Sequence, residues 1–380
     1  MERCIGKQYF YTFFTAFIHT SIFYDQFAFR PIGSTTAALA TILQCITEML
    51  ESETYVCMYA LDFSRAFDTV SHSALLNRIH ELGFPDFIFN WLCNFLAGRC
   101  HCTKWNGITS GSLGINAGIV QGSAVGPAAF IVCSSELQPI SNANRLFKYA
   151  DDSYLLVPAS NVNSVKAEFD NISSWASKYN LKLNFRKCKE LVIRTSRRAE
   201  RVTLPAPGSL QDIERVESIV MLGVEISDRL KMDGHINNLV SAANQSMFAL
   251  RTLKRTGLDD EALWTVCRAT LVAKLQYCSP AWWGFANCSQ TDCLEGVLRR
   301  AARWGLYSLT GSSLSTIVLN SDASLFRKIL SNPHHVMHNL LPAVKSTPYN
   351  LLPRAHDRVL PLKTTTLARN FIYRLLFSGQ

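Results

Sequence analysis

Two adjacent carboxylates, Asp151 and Asp152, interrupt an apolar stretch, with Phe147 and Tyr149 before them and Tyr154, Leu155 and Leu156 after. Turn chemistry predicts a hairpin here, with strands at 145–149 and 154–157 around Ala150-Asp151-Asp152-Ser153. Neighbouring negative charges repel, so placing both where two strands enter a core costs stability unless a cation offsets them. A third carboxylate, Asp62, ends the β-rich run at 54–61. Magnesium suits such a set: it takes one or two carboxylates and fills its other positions with water and substrate phosphate. Two such ions about 3.5–4 Å apart can activate a 3′-hydroxyl and stabilise a departing pyrophosphate. On residue types alone, the pattern equally suits a plain polar turn, with Asp62 as an N-cap for the next segment.

Around these carboxylates the chain reads as mixed α/β up to about residue 230 and as almost wholly helical beyond it. Apolar periodicity predicts helices at 36–51, 73–82, 85–95, 127–137 and 165–179, the second closed by Gly83 and the third by Gly98. A strand is predicted at 190–195 and a strand pair near 219–226, after a break at Pro205, Pro207 and Gly208. The segment 107–126 is glycine-rich and reads as loop. Helices follow at 235–256 and 259–277, and no internal repeat is visible.

Hydrophobic residues make up 48% of the 380, which excludes a disordered chain. Lys and Arg exceed Asp and Glu by 38 to 29, a net charge of +9 that favours polyanionic partners. The excess is concentrated: Lys178–Arg201 carries 9 basic against 2 acidic residues, and Trp304–Gln380 carries 8 against 2. A solvated basic face is the plainer reading of either stretch. The 12 cysteines are scattered without a CxxC pair, which points to a reducing compartment. The aromatic run Tyr9–Ile18 is about half the length a bilayer span needs. With Glu2 before it and no small-residue cleavage site, neither a signal peptide nor a transmembrane helix is expected.

Five segments in order resemble the reverse transcriptases of non-LTR retrotransposons of the jockey-like LINE type. They are Gln26-Phe27-Ala28-Phe29-Arg30 with Gly33-Ser34-Thr35, Asp62-Phe63-Ser64-Arg65-Ala66-Phe67-Asp68, Gln121-Gly122-Ser123 with Gly126-Pro127, Tyr149-Ala150-Asp151-Asp152, and Trp175 through Leu181-Lys182-Leu183-Asn184 to Lys187. Leu222-Gly223-Val224 and Tyr277–Gly284 support the resemblance, which covers about residues 20–290. It implies an α+β right-hand polymerase: partial fingers at 1–50, a palm with an antiparallel sheet at 51–230, a helical thumb at 231–300 and a basic helical C-terminal extension at 301–380. It also implies an RNA-directed DNA polymerase acting on an RNA template, a DNA primer or target, and deoxynucleoside triphosphates. The family's earlier fingers motifs have no counterpart before Gln26, so the chain is expected to be the C-terminal part of a longer reading frame. An inactive remnant that at most binds nucleic acid is the alternative. Either would act inside the cell, in nucleus or cytoplasm.

Residue by residue, the resemblance places Asp62, Asp151 and Asp152 as ligands of two Mg²⁺ ions, with Mn²⁺ as a substitute, and gives the Phe63 carbonyl to one ion's shell. Asp68 is structural or capping. Phe67 stands where the family has an aromatic residue beneath the incoming sugar, a ring that would clash with a 2′-hydroxyl; a core aromatic is the other reading. Gln121 and Gly122 would present backbone to the nascent base pair, with Val120 where the family usually has Pro. Lys187 would protonate leaving pyrophosphate or simply bind phosphate. Arg30 would contact template or triphosphate, or join a fingers salt bridge. Leu222 and Gly223 would grip the primer.

Overall fold

A computed structural model describes residues 21–120, 122–123, 125–194, 212–308, 310–345 and 356–378. The aromatic run at 9–18, the Pro205–Gly208 break and Gln121 lie outside the described residues. The strands are β1 (Val56–Leu61), β2 (Phe63–Ser64), β3 (Cys100–His101), β4 (Lys104–Trp105), β5 (Ile108–Thr109), β6 (Leu113–Gly114), β7 (Arg145–Tyr149), β8 (Asp152–Pro158), β9 (Lys182–Leu183), β10 (Lys189–Ile193), β11 (Glu214–Val216), β12 (Ser218–Met221) and β13 (Val224–Ser227). Five of them form one sheet in the order β11-β10-β1-β8-β7. The described residues of Met1–Gly33, Cys57–Glu190 and Pro205–Arg215 make one compact unit, and those of Ser34–Val56, Leu191–Leu204 and Val216–Gln380 a second. The composition change at about 230 therefore falls inside the second unit.

In the first unit, β7 and β8 pair antiparallel from Arg145↔Leu156 to Tyr149↔Asp152, which leaves Ala150 and Asp151 as a two-residue turn. Such a turn needs positive φ, and Ala150 adopts +58°. β8 is buried from Ser153 onward, so its near-continuous apolar run is that of a central strand. The helix Val165–Lys178 turns Phe169, Ile172, Trp175 and Ala176 inward. Phe169 meets Tyr59 of β1 edge-on at 5.3 Å, and Trp175 meets Phe63 of β2 at 5.5 Å, so this helix backs the strands that carry Asp62. The helix Gly126–Ser134 is buried on almost all sides and packs on His72–Glu81, itself capped by the Ser71 hydroxyl. The glycine-rich region is less irregular than expected: β3 pairs with β6 and β4 with β5, two short exposed ladders whose Trp105 and Ile108 point into solvent.

In the second unit, Ser34 caps a helix at Thr35–Ser52, close to the expected 36–51. β12 and β13 form the expected hairpin, with Leu222 and Gly223 at φ of +47° and +82° in its turn. Long helices follow at Asp233–Arg255, Cys288–Arg303 and Leu314–Ser331. The single helix expected at 259–277 is instead Asp260–Cys267 and Ala273–Gln276 joined by a π-turn at Arg268–Val272. Among the described residues no helix is long and apolar enough to cross a membrane.

Candidate active site

β1 runs into Asp62 beside β8, the strand that opens with Asp152. The main chain of Asp62 is fixed on both sides: its amide donates to the Cys188 sulfur at 3.4 Å, and its carbonyl accepts the Asn184 amide at 2.9 Å. Phe63 and Ser64 then pair with Leu183 and Lys182 of β9. One carboxylate oxygen of Asp62, Oδ1, is buried and has no hydrogen-bond partner among the described residues. A buried acceptor left that way is costly, and a cation would relieve it.

Asp152 feels the negative charge of both other aspartates. The Asp152 carboxyl is held above its ordinary value of 3.8, first by partial desolvation, then by the negative charge of Asp151, then by that of Asp62. Asp151 and Asp152 are both exposed as residues, so the turn offers its carboxylates to solvent. Among the described residues, no three His, Cys, Asp or Glu side chains already stand close enough to hold a metal ion. The donor chemistry nevertheless fits a hard cation: an orphaned carboxylate oxygen beside two mutually repelling carboxylates.

Of the other expected site residues, Phe67 is half-buried and stacks on Phe130 at 4.6 Å, and its carbonyl accepts the Ile119 amide at 2.6 Å. Asp68 is exposed, and its backbone lies so close to Gly118 that a Cβ there would approach the Asp68 carbonyl oxygen to 2.6 Å. Gly122, at φ +77°, has open space where a side chain would be, so its backbone can be approached closely. A cleft of about 690 Å³ lies alongside, lined by Asp68, Arg99, His101, Gly118, Ile119 and Val120. Lys187 is exposed, in a turn closed by its own amide onto the Asn184 carbonyl at 3.0 Å. Arg30 turns its guanidinium onto the carbonyls of Phe23 and Gln26, and burial pulls its pKa down. Leu222 and Gly223 belong to the second unit, where the Tyr277 hydroxyl donates to the Leu222 carbonyl at 3.0 Å.

Some supporting residues carry no role in the sequence reading. Lys148 is buried and pairs with Asp25 at 2.8 Å, while its ammonium also donates to the carbonyls of Ser134 and Leu137. Gln26, also buried, accepts the Ala150 amide at 3.2 Å. Behind β1, Tyr59 donates to Glu190 at 2.9 Å, and Arg215 completes that buried group at 2.6 Å. A lysine inside the apolar strand Leu146–Tyr149 is the one clue the sequence offers to the first of these.

The mixed helix-and-sheet fold is that of the right-hand polymerase class expected from the sequence. The chain belongs to the family "Reverse transcriptase (RNA-dependent DNA polymerase)", whose model matches residues 9–226. It is 26% identical over 228 residues to the RNA-directed DNA polymerase from mobile element jockey of Drosophila melanogaster, covering 57% of this chain and 24% of that protein. It is 25% identical over 296 residues to the probable RNA-directed DNA polymerase from transposon BS of the same organism, covering 73% of this chain and 32% of that protein. The chain thus spans about a quarter to a third of the length of these relatives. Among solved structures, telomerase from Candida albicans with the TWJ fragment of telomeric RNA matches with a TM-score of 0.48 and 11% identity, over 83% of this chain and 57% of that one.

Proposed function

We propose that this chain carries the polymerase site of a retrotransposon reverse transcriptase, extending a DNA primer along an RNA template with deoxynucleoside triphosphates. What supports it is the placement of β1, which runs into Asp62, beside β8, the strand that opens with Asp152 directly after Asp151. Asp62, the Phe63 carbonyl, Asp151 and Asp152 would hold the cations, Mg²⁺ or Mn²⁺. When bound, these supply charge neutralisation for the attacking hydroxyl and the leaving pyrophosphate. The chain's own task is positioning. Asp62 is locked through its backbone to Cys188 and Asn184, and the hairpin fixes Asp151 and Asp152 at the mouth of a buried strand. Phe67 selects the sugar, Gly122 lets the base pair approach, and Lys187 offers a proton or a charge to phosphate. Basic residues in Lys178–Arg201 and Trp304–Gln380 suit a nucleic-acid backbone, giving salt-sensitive and sequence-tolerant binding.

Extension of a DNA primer on a homopolymer RNA with Mg²⁺ tests this directly. The wild-type chain is expected to lengthen the primer and Asp151→Ala to leave it unextended. Equal extension by both would remove the carboxylates from the reaction. A wild-type chain that binds the primed template without extending it would be the nucleic-acid-binding remnant.

A further inference from the structure

A two-residue hairpin turn leaves the amide of its first residue outside the ladder of strand hydrogen bonds. Here that amide belongs to Ala150, the residue just before Asp151, and it donates to the side-chain oxygen of Gln26 at 3.2 Å. The same oxygen accepts the Ala28 amide at 3.0 Å, and the Gln26 amide nitrogen donates to the Ser134 hydroxyl at 3.3 Å. Gln26 is 1% exposed, so each of these bonds stands in place of water. Ser134 closes the helix Gly126–Ser134, which follows the Gly122-Ser123 segment. The backbone of Gln26 is fastened too: Lys148 donates its amide to the Asp25 carbonyl at 2.8 Å, and the Lys148 carbonyl accepts the Phe27 amide at 2.9 Å.

We infer that Gln26 is a positioning residue for the carboxylate turn. Its side chain holds Ala150 in the left-handed conformation that aims Asp151, and ties that turn to the end of the helix Gly126–Ser134. The inference rests on the proposed polymerase reading for its consequence, but the contact itself stands apart from it. Phosphoryl transfer depends on placing groups to within an ångström, and a misplacement of about 1 Å can cost about a hundredfold in rate.

Two measurements test it. Hydrogen exchange of the Ala150 amide, followed by NMR in wild-type protein labelled with ¹⁵N-alanine, is expected to be at least about tenfold slower than in an unfolded chain. Exchange at the unfolded rate would overturn the inference without any variant. In primer extension, Gln26→Leu, similar in volume but with no acceptor, is expected to lower kcat by about 10- to 100-fold. The KM for the deoxynucleotide should stay within about twofold, since the lost contact orients the turn rather than binding substrate. Ser134→Ala, which frees only the far end of the side chain, should keep kcat within about threefold. Unchanged kcat in Gln26→Leu, or a rise in KM alone, would sink the idea. If Gln26→Leu does not fold, the wild-type exchange rate decides. A wild-type chain that extends no primer defeats the polymerase reading, and the exchange rate then decides on its own whether Gln26 holds Ala150.

Discussion

Asn184 donates its backbone amide to the carbonyl of Asp62 at 2.9 Å, so the turn that carries Lys187 hangs from the residue that directly follows β1. The register of β2 with β9 extends this tie, pairing Phe63 with Leu183. An exposed lysine thereby gains a backbone tied, through Asn184, to that of Asp62. Lys187→Ala is expected to reduce turnover by about a hundredfold if it donates a proton. Its exposure means stability should move by less than about 0.5 kcal/mol. Lys187→Arg separates the two roles, because a guanidinium keeps the charge and does not give up its proton. Full turnover in the arginine variant would leave only phosphate binding to Lys187.

The negative charge that Asp151 and Asp62 each place on Asp152 carries a prediction about metal binding. A cation that joins them binds the folded chain and not the unfolded one, so it stabilises by mass action, about 2.7 kcal/mol at a hundredfold excess over its dissociation constant. Thermal unfolding with rising Mg²⁺ is expected to shift upward for wild type. Asp62→Asn should blunt the shift, since it removes the buried, unpartnered oxygen's charge. A melting temperature indifferent to Mg²⁺ in both proteins would show that these carboxylates do not take the ion without nucleotide.

Phe67 stacks on Phe130 yet stays half-exposed, so one part of its ring packs while another faces solvent. The two roles, sugar gate and core aromatic, make different predictions for the same variant. Phe67→Ala should cost about 1–3 kcal/mol through lost packing. It is also expected to admit ribonucleotides in primer extension. If stability falls while discrimination between ribose and deoxyribose is unchanged, the ring serves packing alone.

The carboxylate hairpin was legible because three local signals agree: apolar flanks, a two-residue turn and acidic residues that interrupt an apolar run. Asp62 was legible as the abrupt end of a β-rich run. The contacts that hold these residues were not legible, since they depend on partners distant in sequence. Gln26 meets Ala150 across 124 positions, and nothing in a glutamine's neighbours announces such a contact. The ladders β3–β6 and β4–β5 were missed because each strand is exposed and two residues long, too short to show the alternation that marks a half-buried strand. The π-turn at Arg268–Val272 was missed because no residue type marks a π-turn as Gly or Pro marks a break, and the chain stays helical through it.

The Asp25–Lys148 pair illustrates a buried charge whose worth lies in not being broken. Both side chains are almost fully buried, and desolvation pushes the Asp25 carboxyl up and the Lys148 ammonium down. Lys148→Met leaves Asp25 buried without its cation, which is expected to cost about 3–5 kcal/mol in denaturant unfolding. The double variant Asp25→Leu/Lys148→Met should recover most of that loss. A double variant as unstable as the single one would mean that the carbonyls of Ser134 and Leu137, rather than the charge, are what Lys148 satisfies.

His235 gives the second unit a pH dependence of known sign. It lies buried in the first turn of the helix Asp233–Arg255 and edge-on to Trp282 at 5.0 Å, and its Nε2 has no hydrogen-bond partner among the described residues. Burial pushes its pKa down from 6.5 to about 4. The unfolded chain therefore takes up a proton below pH 6.5 while the folded chain resists it. Stability is fully present above that pH and is lost as the pH falls toward 4. Across that window a shift of this size is worth about 3 kcal/mol. Other groups titrate over the same range, so the informative quantity is the difference between wild type and His235→Phe, which keeps a ring against Trp282 and removes the titration. That difference in unfolding free energy is expected to move in favour of His235→Phe between pH 7 and pH 5. A constant difference would mean that the imidazole can protonate in place, with water or a neighbour reaching Nε2.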